Sequence, residues 1–309
     1  VTGPVLLLAT GDAIAYRQHS GRDEVVDGAA LLKLALDAEP RLSTVDVVVE
    51  DLSAEPGWDV STATQLALAR RCRDALAEGF GAVVVTGGVD TLAETAYLAG
   101  LHADGPLVFT GSSRCLDEPG SEGPGNLVAA LLAAGHAPGA VVCSGGELHA
   151  ARWARLTAEA GFTSAPHGPV GRVRDGRVVP TGVASPPATP RVPEEPAADV
   201  ALLSVYPDMP ATLLTAAADA GARGIVLAGT GAGNVPVELF ATIGELLEWD
   251  IPVVVTAAVP GRQPCGTGLV YRLGAISARD LPPPQARSAL MVALGGGGVA
   301  AVREWFSRL

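Results

Sequence analysis

No apolar run in this sequence is long enough to cross a bilayer. Val141-Val142-Cys143 and residues 251–259 fall far short of the roughly 20 residues that a spanning helix needs, so a membrane partner is not expected. Basic charge is scarce as well. Lys and Arg number 21 against 33 Asp and Glu, a formal charge of −12, which gives a nucleic-acid backbone no basic surface to bind. The four cysteines, Cys72, Cys115, Cys143 and Cys265, contain no CxxC pair and do not cluster with the five histidines. Neither a disulfide framework nor a metal site is expected, and a reducing cytoplasm is the expected setting. The first residues, Val1-Thr2-Gly3-Pro4, show no basic region followed by an apolar stretch; an export signal already removed stays open as an alternative. Aromatic residues make up 4% and charged residues 17%.

The 48% apolar content and mean hydropathy of +0.32 come instead from Ala, Val, Leu and Gly, which suits parallel strands covered by helices. A chain of 309 residues is long enough for two α/β domains. Short β-branched runs end in Gly-containing turns and alternate with helical spacing. Strands are predicted at 5–9, 45–49, 81–85 and 106–110, with helices at 61–78, 91–101 and 126–134. The segment ASPPATPRVPEEPAA, residues 184–198, is too rich in proline for a helix or an interior strand and reads as a linker. The alternation then resumes, with strands at 200–205, 224–227 and 251–256 and helices at 209–220, 237–249, 284–294 and 299–307. The expectation is two doubly wound α/β domains. The larger, residues 1–183, has a mainly parallel sheet, and the smaller, residues 199–309, a parallel sheet.

In open sheets of this kind ligands sit at the carboxyl ends of strands. Four turns stand there: Thr10-Gly11-Asp12-Ala13, Thr86-Gly87-Gly88-Val89-Asp90-Thr91, Gly111-Ser112-Ser113-Arg114 and Gly229-Thr230-Gly231-Ala232-Gly233-Asn234. Small residues let a ligand approach backbone N–H groups, although glycine belongs in such turns in any case. A nucleotide-binding reading of GTGAGN is weaker, because the full GxGxxG spacing is missing.

Taken together and in order, the segments LLLATGDAIA, VVVTGGVDTLAETAY, FTGSSR with SEGPGNLVAAL, and GTGAGNVP with VPGR and GAISARDLPPPQAR resemble the asparaginase/glutaminase family across nearly the whole chain. The resemblance implies a homotetramer built as a pair of dimers, with each site completed by the C-terminal domain of a neighbouring subunit. It implies no cofactor, and an amino-acid- or amide-like small molecule as ligand.

The family's chemistry carries over less well. It uses a threonine hydroxyl as nucleophile, helped by a second threonine, an aspartate and a lysine, since a hydroxyl attacks poorly unaided. On the residues of this chain the first threonine falls on Ala13 and the second on Val89. The lysine falls on Leu156, within HAARWARLTAEAGF, a segment without lysine; only the aspartate stands, as Asp90. The substrate-carboxylate serine falls on Gly57 in PGWDV, followed by Trp58 and Asp59, and the neighbour's contribution keeps Asn234 but finds no glutamate between residues 261 and 270. Gly11, Gly57, Trp58, Asp59, Gly88, Ser112 and Asn234 are the expected substrate-binding set. Tyr16 lies close to the family's mobile tyrosine but out of register.

One position adds chemistry. Asp12 stands where the family has a second glycine, and with Asp90 it could supply an acid and a base, because neighbouring carboxylates push their pKa values apart. The plainer reading is that Asp12 caps the helix that follows. Cys115 is read as a buried, inert thiol. His19 lies in the loop that, by the family resemblance, would act as a mobile lid, and reads as a solvated residue or as an acid–base group. Three functions remain open: a divergent enzyme with Asp12 and Asp90 as acid–base candidates, a non-catalytic binder, or an L-asparagine/L-glutamine amidohydrolase working with unorthodox residues.

Overall fold

A computed structural model describes residues 3–19, 22–52, 56–158, 161–186, 190, 195–259 and 268–309. The chain divides into two compact units, residues 1–186 and 187–309.

The first unit opens with β1 (Val5–Ala9), whose five side chains are all buried. A hairpin follows, β2 (Tyr16–His19) and β3 (Arg22–Val25), then α1 (Gly28–Ala38), β4 (Val47–Asp51), α2 (Thr62–Ala77), β5 (Ala82–Thr86), α3 (Leu92–His102), β6 (Leu107–Thr110) and α4 (Gly123–Ala133). The antiparallel part consists of β7 (Ala140–Ser144) and β8 (Glu147–Ala150), the small pair β9 (Arg155–Leu156) and β10 (Phe162–Thr163), and the hairpin β11 (Gly171–Arg174) and β12 (Arg177–Pro180). One sheet of eight strands runs β12-β11-β8-β7-β6-β5-β1-β4, parallel from β4 to β7 and antiparallel beyond.

Alternation along the strands divides the core between two faces. Val5 and Leu7 of β1 pack with Leu31 and Ala35 of α1 and Leu127 and Leu131 of α4. Leu6 and Leu8, equally buried, point the other way. Burying each such side chain contributes about 1.5–3 kcal/mol, and β1 is thereby fixed as a central strand. Because β1 lies between β4 and β5, the chain reverses direction of winding there. A crevice opens at such a switch point, and it is here that the first two Gly-containing turns meet.

Two features were not legible in the sequence. The segment after Gly11 is a turn leading into the β2–β3 hairpin, so Asp12 caps no helix. That hairpin is pinned down: the N–H of Leu116 donates to Tyr16 O at 2.7 Å and that of Gln18 to Asp117 Oδ2 at 2.7 Å. The second is a buried polar knot on β8. Ser164 donates its hydroxyl proton to Gly168 O at 2.6 Å, so its oxygen accepts from His149 Nδ1 at 2.9 Å. His149 Nε2 then faces Glu147 Oε2 at 3.6 Å with a lone pair. Burial pushes the His149 imidazole below its ordinary pKa, outweighing the pull of Glu147 in the opposite direction.

The second unit has four strands in the order of the chain, β13 (Val200–Ser204), β14 (Gly224–Gly229), β15 (Val253–Ala257) and β16 (Ile276–Ser277), all parallel. Its helices are α5 (Thr212–Asp219), α6 (Phe240–Glu248), α7 (Leu269–Arg272), α8 (Pro283–Gly295) and α9 (Val299–Ser307). Leu214, Ile243 and Leu246 pack against Ile225, Leu227 and Val253. Part of the proline-rich segment, and the loop at residues 260–267 with Cys265, lie outside the described residues. Pro190 and Ala197 are tied to this unit by bonds from Trp305 Nε1 and to Met291 O.

Candidate active site

Thr10 directly follows β1, and Thr86 and Thr110 are the last residues of β5 and β6. Thr10 Oγ1 donates to Thr86 O at 2.6 Å, and Thr110 Oγ1 to Cys143 O at 2.9 Å. These hydroxyls take up carbonyls that the ladder leaves open where the strands part. The turns that follow are thereby held at one level.

Gly11 and Asp12 both adopt the left-handed region, with φ of 80° and 66°. Aspartate is among the few non-glycine residues that tolerate it. The turned backbone lets the Asp12 carboxylate reach across to the short 3₁₀ turn Gly57–Asp59. Asp12 Oδ2 accepts the N–H of Gly57 at 2.5 Å and Oδ1 that of Ala13 at 2.5 Å. Gly88 closes the corner. A Cβ on Gly57 would lie 2.6 Å from Gly88 Cα, and one on Gly88 would lie 2.3 Å from Gly57 Cα and 2.5 Å from Asp12 Oδ2. The Asp12 carboxylate fits here only because residues 57 and 88 both lack a side chain.

Thr91 completes the junction. It stands at the N-cap of α3, yet its hydroxyl donates to Gly57 O at 2.8 Å rather than accepting from the helix. Behind it, Thr95 Oγ1 donates to Thr91 O at 2.7 Å and itself accepts from Gln65 Nε2 at 2.9 Å. Thr10 and Thr91 belong to two of the four turns but not to the expected substrate-binding set, and Gln65 was not legible in the sequence at all. Thr91 had a signal in its place at a helix start, whereas Gln65 is one polar residue in an amphipathic helix and had none.

The expected residues are distributed as follows. Gly11, Asp12, Gly57 and Gly88 meet in one corner. Trp58 is 73% exposed; Asp59 next to it, and Asp90 on the other of the two turns that meet, are exposed as well. Val89 is half-buried and lies against Gly111, where a Cβ would stand 3.1 Å from Val89 Cγ1. Ser112 is buried against Gly123, and its hydroxyl donates to Arg114 O at 2.6 Å, so its proton is committed to the turn. Leu156 is an exposed residue of β9, next to Arg155, whose guanidinium donates to Ala165 O. Asn234 belongs to the second unit, in a turn closed by backbone bonds of 2.9 Å in both directions with Thr230.

A partly open cavity of about 40 Å³ adjoins the corner, lined by Thr10, Gln65, Thr86, Gly87, Gly88 and Thr91 among others. It is sized for about one water molecule, and neither Asp12 nor Asp90 lines it. Cys115 is half-buried rather than buried. Among the described residues no group of His, Cys, Asp and Glu is arranged to hold a metal ion, and no helix is long and apolar enough to cross a membrane.

Residues 4–182 match the family model for the N-terminal part of asparaginase, and residues 199–306 that for the glutaminase/asparaginase C-terminal domain. The chain belongs to the asparaginase/glutaminase family. It is 34% identical to a probable L-asparaginase of Deinococcus radiodurans, over 94% of this chain and 92% of that protein. It is 28% identical to L-asparaginase 2 of Escherichia coli, over 94% and 88% of the two chains. Among solved structures, the probable cytoplasmic L-asparaginase of Campylobacter jejuni superimposes with a TM-score of 0.86 at 27% identity, over 99% of this chain and 100% of that one. The switch-point corner is thus built on an amidohydrolase-family fold.

Proposed function

We propose that this family member acts on a small amide- or amino-acid-like molecule at the carboxyl ends of β1 and β5, without the threonine nucleophile of its family. The observation that carries the reading is chemical: residues 13 and 89 are Ala and Val, which offer no hydroxyl, and Val89 packs against Gly111. Loss of one member of a cooperating catalytic group costs on the order of 10⁴–10⁶ in rate, and further losses add little. Asp90, exposed on its turn, is the carboxylate placed to accept a proton or hold a ligand's amino or amide group. Asp12, the other acid–base candidate, has each oxygen engaged by a backbone N–H and acts as a brace.

The relatives' names favour a second reading, hydrolysis of L-asparagine or L-glutamine itself with unorthodox residues. The hydroxyls of Thr10 and Thr91 stand in the right region for it, each donating to a carbonyl. By resemblance to the family the chain assembles as a homotetramer in which Asn234 of a neighbour completes the site, and the name of the solved relative supports a cytoplasmic setting.

Ammonia release separates the two readings. The first expects none above background from either amide, and steady turnover of either establishes the second. Ligand-induced thermal shift then locates the site. A ligand at ~100 times its Kd stabilises by about 2.7 kcal/mol, and Asp90→Ala should abolish that shift. Binding that survives this substitution places the working site elsewhere; binding without turnover of any amide makes the chain a non-catalytic binder.

A further inference from the structure

We infer that Asp12 sets the charge of the molecule this site accepts, turning away a ligand carboxylate and selecting an uncharged or cationic end. The inference rests on the reading that the ligand occupies the carboxyl ends of β1 and β5. A carboxylate entering there needs backbone N–H donors or a cation. The N–H of Gly57, at the meeting of the two turns, is already held by Asp12 Oδ2 at 2.5 Å. The other oxygen is held by the N–H of Ala13. Both donors are neutral, so the negative charge stays in the corner with no cation among the described residues paired to it.

The carboxylate is closely packed and has little freedom to move away from an incoming group. A single added carbon at Gly88 would sit 2.5 Å from Asp12 Oδ2, and one at Gly57 would sit 3.2 Å from the same atom. The carboxylate is also held in place from its own side, by consecutive left-handed residues at 11 and 12 that commit the direction of the turn. An incoming carboxylate would therefore meet a fixed like charge and a donor that is already spent. Two like charges about 4 Å apart disfavour binding by about fivefold even at the dielectric of water, and by more in a partly enclosed corner. A group carrying N–H donors, such as an amide or an ammonium, is instead attracted by the same carboxylate.

A matched pair of probes tests this. L-asparagine and L-asparaginamide differ only in that a carboxylate is replaced by an amide, and calorimetric titration on the whole chain reads both affinities. The wild type should bind L-asparaginamide about fivefold tighter or more. Asp12→Gly, whose residue suits the left-handed backbone, should bring the ratio to about one or reverse it, and Asp12→Asn should give an intermediate ratio. Equal affinities in the wild type, or a preference unchanged in an Asp12→Gly protein that is still folded at the titration temperature, would overturn the role of Asp12. If neither compound binds the wild type or either variant, the placement of the ligand is itself wrong, and the inference falls with it.

Discussion

The backbone N–H of Gly57 and the carboxylate of Asp12, 45 residues apart in sequence, are joined at 2.5 Å, and Gly88 leaves just enough room for them. One aspartate thereby bolts the turn after β1 to the 3₁₀ turn before α2. The junction links stability to the proposed site, because the groups that close the corner stand at the carboxyl ends of β1 and β5, where the ligand is proposed to sit.

Gly88→Ala should therefore destabilise the first unit although it adds a single methyl group. The new carbon would overlap Gly57 Cα, and forced overpacking of this kind costs about 1–3 kcal/mol. The thermal unfolding midpoint should fall by several degrees, while the chemically similar Gly125→Ala, where a Cβ meets nothing within 4 Å, should leave it unchanged or raise it.

At Asp12 the order of two substitutions is the informative quantity. Asp12→Ala removes the acceptor for the Gly57 and Ala13 N–H groups, at about 1–3 kcal/mol for a donor left unsatisfied, and also leaves a poorly suited residue at φ 66°. Asp12→Gly loses the same acceptor but fits the backbone. Denaturant titration should rank the stabilities wild type, then Gly, then Ala, reversing the usual order in which glycine is the worse of the two.

The knot at His149 predicts a pH dependence. Burial lowers the His149 pKa in the folded state, so between the folded value and the unfolded value near 6.5 the unfolded chain binds more protons. Stability is then full above about pH 6.5 and falls as pH is lowered towards the folded pKa. Unfolding midpoints measured from pH 7.5 to 5 should show this decline. His149→Gln should flatten it even where it lowers the midpoint overall.

Thiol reactivity should follow burial. Cys72 and Cys143 are buried, with their thiols pushed up to about 12 by desolvation, so neither supplies thiolate near neutral pH. In a Cys265→Ser background, Ellman's reagent should label Cys115 in the native protein and reach the other two only on unfolding. Rapid native labelling of three thiols would show that the core opens far more readily than its packing implies.

The sequence by itself determined the alternation of short apolar strands with helices, the family, and the four Gly-containing turns. These are local signals: β-branched runs such as Val83-Val84-Val85, and glycines placed where a strand must turn. Helix and strand periods also marked α2, α3, α8 and α9 to within a few residues. The antiparallel edge from β8 to β12 and the hairpin after Gly11 were hidden, because their strands are short and partly exposed and carry little periodicity. The role of Asp12 was hidden for a different reason. In one dimension it reads as a cap or an acid, and only the tertiary structure decides that its partner is a backbone N–H at residue 57. That bond exists because the strand order places β1 beside β5, bringing the turns at residues 12 and 88 together, and because two glycines, distant in sequence, leave a space the size of one carboxylate.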